Sequence, residues 1–246
     1  MWFLYHLGRY FIFMAKVSAK PEKYKIYYRQ TLHEIESLGV NSIGIVLIIS
    51  VFIGAVITIQ TAYNIQIPLI PKYVIGVASR DSMMLEFSST IVGLILAGKV
   101  GSNIASEIGT MRVTEQIDAL EIMGVNSASY VVLPKIIATV VFNPLLTLMS
   151  VCIGIFGGWV AGTLAGVVTS EEYIYGIQYL FIPWYVTFTM CKAALFAFLM
   201  SSISAYMGYH VSGGSVDVGK SSTRAVVFSS IAILFFNLLL TQMFLS

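Results

Sequence analysis

Five stretches of this chain are too long and too apolar to be surrounded by water. They cover about residues 41–67, 82–105, 130–168, 184–209 and 223–245. A helix needs roughly 20 consecutive apolar residues to cross the hydrocarbon core of a bilayer, and each stretch reaches that length. The first is stopped by Pro68 and Pro71. The third exceeds one crossing, so it tilts or leaves the core at one end. Composition agrees with this reading. Of 246 residues, 57% are hydrophobic and 11% charged, against about 25% charged in a soluble domain. The expected fold is an all-α integral membrane protein of one domain, with an interfacial region over residues 1–38.

Basic residues set the orientation of such a bundle. Lys16, Lys20, Lys23, Lys25 and Arg29 precede the first stretch, Lys99 and Arg112 follow the second, Lys135 opens the third, and Lys220 and Arg224 lie between the fourth and fifth. An odd number of crossings puts all of these on one side, the cytoplasm. Lys72, Arg80, Glu171 and Glu172 fall on the other. The N-terminus is expected inside and the C-terminus outside. The opening run MWFLYHLGRYFIFMAKVSAK is too short to cross and mixes His6, Arg9, Lys16 and Lys20 with Trp2, Phe3, Tyr5, Tyr10, Phe11 and Phe13. It reads as a helix lying in the cytoplasmic interface. A signal peptide would need a positive start and an uninterrupted apolar run, and His6 and Arg9 break that run.

Small residues recur every fourth position in three spans: Gly93, Ala97, Gly101, Ala105 and Gly109; Gly154, Gly158, Gly162 and Gly166; Ala193, Ala197, Ser201 and Ala205. Such stripes let helix backbones approach closely in lipid. Cys152 and Cys191 lie inside apolar segments and are expected as buried small hydrophobes, with no disulfide framework and no metal spacing. A net charge of +2, with no basic run interleaved with aromatics, excludes nucleic acid as a partner.

Between the second and third spans the pattern turns polar, over SEIGTMRVTEQIDALEIMGV, Ser106 to Val125. Read as one helix, it places Glu107, Glu115, Asp118 and Glu121 within an arc of about 120°, with Val113, Ile117 and Leu120 opposite and Arg112 at the flank. Gly124 stands where this helix ends. Four carboxylates on one short arc repel one another, and the nearby cytoplasmic leaflet is itself negative. A basic or donor-rich protein partner would relieve that repulsion.

GSVDVGKS, Gly214 to Ser221, fits the phosphate-cradling pattern G-x-x-x-x-G-K-[ST]. A true phosphate loop joins a β-strand to a helix in an α/β domain, with an acidic residue to hold Mg²⁺. Here it follows a membrane span, and there is no room for such a domain. The run reads instead as a Gly/Ser-rich cytoplasmic turn, with Lys220 and Arg224 at the interface to meet lipid phosphates or to fix topology. No cofactor, metal or catalytic residue is expected in this chain, so any energy source is a separate protein. Within the spans, Glu86, Lys99 and Lys192 are the candidate ionisable groups. Such groups face a partner or a cavity. Lys99 is close enough to the cytoplasmic end to snorkel, Lys192 is expected to pair with Glu86 or to face a wet cavity, and Glu86 is the leading cavity residue.

GKVGSNIASEIGTMRVTEQIDALEIMGVNSASYVVLPK, followed near the end by GYHVSGGSVDVGKSSTRAVVFSS, resembles the signature regions of the MlaE/YrbE permeases, the membrane subunits of bacterial lipid-transporting ABC systems. The likeness covers nearly the whole chain. It implies that residues 106–123 form a coupling helix seated on a cytoplasmic ABC ATPase subunit, with Glu107, Met111, Arg112, Glu115, Asp118 and Leu120 as contacts or their supports. It further implies a homodimer in the bacterial inner membrane, a periplasmic MCE-domain protein above it, and a phospholipid held near the periplasmic face. Glu86 matches the family's glutamate in the second span, and Ile57 and Phe87 match apolar pocket positions less specifically. Two departures from the family pattern stand out. The family often reads R-E-L-G-P where this chain has Leu85-Glu86-Phe87-Ser88-Ser89, and Asn237 stands where the family often has Asp.

Two other classes compete. A secondary transporter of an amphipathic substrate, independent of any ATPase, needs charged midmembrane sites and an internal repeat, and the sequence shows no convincing repeat. An intramembrane enzyme needs a clustered constellation, whereas His6, His33 and His210 all fall near the cytoplasmic side.

Overall fold

A computed structural model describes residues 2–19, 24–65 and 70–245. The described residues form helices and no strand. Helix α1 covers Trp2–Ser18 and α2 Tyr24–Glu34; a π-helical turn at Ile35–Val40 leads into α3, Asn41–Asn64. Helix α4, Tyr73–Ser82, continues through a π turn at Met83–Phe87 into α5, Ser88–Leu96, and through another at Ala97–Gly101 into α6, Ser102–Val113. There follow α7, Gln116–Ile122; α8, Ser127–Leu164; α9, Ser170–Gln178; α10, Trp184–Tyr209; and α11, Ser215–Leu245. The side chains of Trp2, Phe3, Tyr5, His6, Lys20, Lys23 and Lys25, and residue Pro68, lie outside what is described.

Five helical stretches are long and apolar enough to cross a membrane: Tyr27–Asn64, Tyr73–Val113, Ser127–Leu164, Trp184–Tyr209 and Ser215–Phe244. The count agrees with the sequence, and the protein is a multi-pass membrane protein. The ends differ because apolar character sets where a span must lie, whereas hydrogen bonding sets where its helix stops. The first and second spans begin well before Asn41 and Ser82, and the fifth begins at Ser215. The third ends before Gly166, which adopts a left-handed backbone (φ 67°) with nothing near its Cα. The Gly166 and Val167 amides cap Thr163 and Gly162, the usual glycine stop of a helix. Gly166 therefore leaves the packing stripe to which spacing assigned it.

The described residues fall into two compact units, each discontinuous in sequence. One gathers residues 1–41, 93–142 and 194–246. In it α6 packs on α11, and the stripe from Gly93 to Gly109 faces Phe196, Met200, Ser204, Gly208 and Val218. Helix α1 docks by Tyr10 Oη, which donates to Ser202 Oγ at 2.7 Å. Its buried Phe13 lies against Tyr206, Tyr209 and His210. Lys99 donates to the Asn41 carbonyl.

The other unit gathers residues 42–92 and 143–193. Here α3 and α8 touch backbone to backbone. A methyl group on Gly54 would sit 1.8 Å from the Gly154 carbonyl oxygen, so only glycine fits. Ser50 Oγ adds a hydrogen bond to Ser150 Oγ across this seam, at 2.7 Å. Helix α4 packs on α9. Both cysteines are exposed, not buried. In a bilayer the outside of the protein is apolar too, so an apolar segment does not imply an interior side chain.

Candidate functional site

The polar island is not one helix. Helix α6 stops at Val113, Thr114 and Glu115 turn, and α7 starts at Gln116. Glu115 takes a left-handed backbone (φ 60°), a conformation costly for a side chain of its kind. The break removes the common arc on which the acidic stripe was drawn, and most of its carboxylates have partners. Glu107 accepts from the buried Lys135 Nζ at 2.9 Å, and the same ammonium reaches Glu34 at 2.6 Å. Asp118 accepts from Arg112 Nη1 at 2.7 Å. Glu121 accepts from Ser127 Oγ and from Tyr209 Oη, each at 2.9 Å. The Ser127 and then the Tyr209 hydroxyl hold the Glu121 carboxyl below its ordinary range. Glu115 is exposed and makes no ion pair among the described residues.

What α7 offers to solvent is therefore less acidic than its sequence. Ile117 is fully buried, Met111, Arg112 and Leu120 are half-buried, and Ile122 (88% exposed) and Met123 (68%) form an apolar tip before Gly124. Gly124 ends the helix as its position suggested, with a φ of 77°. Sequence reasoning missed the tip and also the anchoring role of Lys135. The signal was present: a lone lysine opening a long apolar helix has to meet acids.

The second constellation lies within the other unit. Glu86 sits in the π turn Met83–Phe87. Such wide turns recur at functional sites. They also leave carbonyls open to side-chain donors. Thr189 Oγ1 reaches the Met84 carbonyl, and Lys192 Nζ reaches the Leu85 carbonyl at 2.9 Å. Lys192, fully buried, then pairs with Glu86 at 3.1 Å and lies 5.4 Å from the Phe188 ring centroid. The expected Lys192–Glu86 pairing is thus present. Arg80 does not stand in for an arginine next to Glu86. Its Nε donates to Asp81 at 2.8 Å and its Nη1 to the Ile177 and Tyr179 carbonyls at 2.7 and 2.9 Å, tying α4 to the end of α9. Phe87 is exposed and Ile57 buried. One cavity of this unit is lined by none of Phe87, Ile57 and Glu86.

The phosphate-loop letters form no nucleotide site. Ser215 to Ser221 are the opening turns of α11, and they follow a helix. The turn of the sequence reading shrinks to residues 210–214. Lys220 is 3.4 Å from Asp217, and the Ser221 hydroxyl donates to the Met207 carbonyl. Lys220 and Arg224 are exposed on that helix. No group of three His, Cys, Asp or Glu among the described residues is placed to hold a metal ion.

Comparison with known proteins fits this picture. The family model described as Permease MlaE matches residues 31–243. A probable ABC transporter permease protein of Rickettsia bellii is 34% identical over 97% of this chain and 92% of its own. The chloroplast protein TRIGALACTOSYLDIACYLGLYCEROL 1 of Arabidopsis thaliana is 31% identical over 95% of this chain and 66% of its own. The intermembrane phospholipid transport system permease protein MlaE of Haemophilus influenzae is 29% identical over 96% of this chain and 90% of its own. With five apolar spans, an interrupted polar segment after the second and a family match running through all of them, the chain belongs to the MlaE permease family.

Proposed function

We propose that this permease passes phospholipid between the inner and outer membranes of a bacterium, as a homodimer in the inner membrane. A separate cytoplasmic ABC ATPase drives it, and a periplasmic MCE-domain protein receives or delivers the lipid. The N-terminus is cytoplasmic and the C-terminus periplasmic. The permease itself catalyses no reaction. The observation that carries this reading is the segment α6–Glu115–α7. It is a short, rigidly braced projection between spans, with a strained exposed glutamate and an apolar tip, on a chain whose one nucleotide-like motif is an ordinary helix start. The printed name of the Haemophilus relative supports phospholipid as cargo.

Met111, Arg112, Asp118, Leu120 and Glu107 act in this reading as the braces of the projection, and Glu115 as its contact with the ATPase. Glu86 and Phe87 belong to the lipid path, with Ile57 packed behind. Lys220 and Arg224 sit at the cytoplasmic headgroup level, where an anionic leaflet attracts them. A ligand or partner shifts a gate only by its unequal affinity for the gate's states, so ATPase motion has to be felt through this projection.

The double substitution Glu115→Lys with Asp118→Lys is expected to abolish co-purification of the ATPase while the chain still inserts. Retained ATPase binding by that variant refutes the docking. The buried Glu86–Lys192 pair is the feature that would suit a proton-driven carrier instead. Lipid movement abolished by a protonophore, and indifferent to ATP, would favour that reading.

A further inference from the structure

The unit that holds Glu86 also has a half-open cavity of about 280 Å³ that the polar constellation does not use. Its wall is built by Met84, Leu148, Val151, Ile155, Phe181 and Val186. Two polar residues border it, Arg80 and Thr189; Thr189 has its hydroxyl bonded elsewhere, and three of the five N–H donors of Arg80 are taken. The Thr189 hydroxyl is held by the Tyr185 carbonyl at 2.7 Å and by the Met84 carbonyl. The Arg80 guanidinium is held by Asp81 and by the Ile177 and Tyr179 carbonyls. A buried water needs two to four polar partners, and an apolar cavity about half this size already stays dry and takes up small hydrocarbons. This chamber offers water almost nothing.

It also has a defined rim. Tyr179 to Trp184 is an unbroken apolar run, with Leu180 (72%), Ile182 and Trp184 exposed and Phe181 turned to the chamber. Leu180 holds a left-handed backbone (φ 47°), and a strained conformation of that kind persists where its surroundings enforce it. Arg80 enforces this one by gripping the carbonyls before it, with its guanidinium 5.8 Å from the Phe181 ring centroid. The cation therefore braces the rim.

We propose that this chamber is a tail site: it takes a length of hydrocarbon chain from a bilayer amphipath, separately from wherever the polar head is held. The inference rests on the phospholipid-permease reading and adds to it that a tail is gripped within one chain. Three observations carry it. The wall is apolar, the bordering polar groups make most of their hydrogen bonds away from it, and the protein is immersed in a solvent whose commonest apolar solute is an acyl chain. The size suits part of a tail and not a whole lipid, since pockets for drug-sized ligands run from roughly 300 to 1,000 Å³.

The test uses the full chain in nanodiscs and a phosphatidylcholine carrying a diazirine at the end of one acyl chain. After irradiation, adducts are mapped by mass spectrometry. They are expected to concentrate on Met84, Val151 and Ile155, about tenfold above Phe52 and Ile231, as for a site that holds the tail by roughly 1.4 kcal/mol over the bulk lipid. Phe52 and Ile231 are exposed apolar residues away from the chamber. Val151→Trp, or Val186→Phe from another helix should the first fail to fold, fills the chamber and is expected to remove its adducts while leaving those on Ile231. Excess unlabelled fatty acid competing alone marks a free fatty acid as the source; competition by unlabelled phospholipid marks a phospholipid tail. Adducts spread evenly, or adducts in the chamber untouched by whichever filling variant folds, overturn the proposal. Labelling needs neither ATP nor ATPase. A labelled chamber in a chain that moves no phospholipid would thus refute the permease reading alone, and transport with an unlabelled chamber would refute the tail site alone.

Discussion

Each unit buries lysine or arginine, but the two balance that charge differently. In the unit of α6 and α7, Lys135 answers to two carboxylates, Glu34 and Glu107, so the cluster is negative overall. The excess is tolerable because Glu107 remains 46% exposed. In the unit of α4 and α9, Lys192 meets one carboxylate and one carbonyl, and Arg80 meets one carboxylate and two carbonyls. Each of those groups is neutral overall. An ionisable side chain far from water is costly unless its charge is cancelled where it stands, and backbone carbonyls complete the solvation without adding charge. The difference shows which charges the protein keeps near water and which it has committed to the interior.

Breaking the neutral pair should have the largest effect. Lys192→Met strands Glu86 and is expected to cost about 3–5 kcal/mol, whereas Lys192→Met with Glu86→Gln should recover most of that loss. Denaturant unfolding in detergent measures both. Lys135→Met is expected to cost less, about 2 kcal/mol, because the two carboxylates it leaves behind include Glu107, which is 46% exposed. A larger loss for Lys135 than for Lys192 would reverse the contrast. The smallest effect belongs to Glu121, whose two hydroxyl donors tie α7 to Ser127 and Tyr209. Glu121→Gln should cost under about 1 kcal/mol.

Glu121 also gives a pH sign. Its carboxyl lies below the usual range in the fold, so its contribution is complete above the unfolded value of about 4.3 and is lost as pH falls through the lower folded value. The protection factors of the α7 amides, corrected for the intrinsic exchange rate, should be flat from neutral pH down to about 5 and fall below about 4, and Glu121→Gln should abolish that fall.

How much of this was readable in the sequence depends on which physics set each feature. The five spans were, because their length and hydrophobicity are local properties. The packing role of Gly154, Gly158 and Gly162 was as well, since a four-residue repeat of small residues suits a close seam. The break at Glu115 was not. No glycine or proline marks it, and a left-handed glutamate is held by its surroundings, not by its own preference. Glu34 as a partner of Lys135, and the Ile177 and Tyr179 carbonyls as partners of Arg80, were hidden because they sit some 100 positions away along the chain. The π turn at Met83–Phe87 was invisible for a related reason. One extra residue in a helical turn leaves no compositional mark, yet it opens the carbonyls that Thr189 and Lys192 use.

The central claim is that α7 and its tip face the cytoplasm and are covered by an ATPase. Ile122→Cys, placed in a chain carrying Cys152→Ser and Cys191→Ser, tests it with a membrane-impermeant maleimide. The account predicts labelling in inverted inner-membrane vesicles, none in sealed right-side-out vesicles, and protection when the ATPase is bound. Labelling from the periplasmic side, or none from either side while the unfolded chain labels fully, would contradict it.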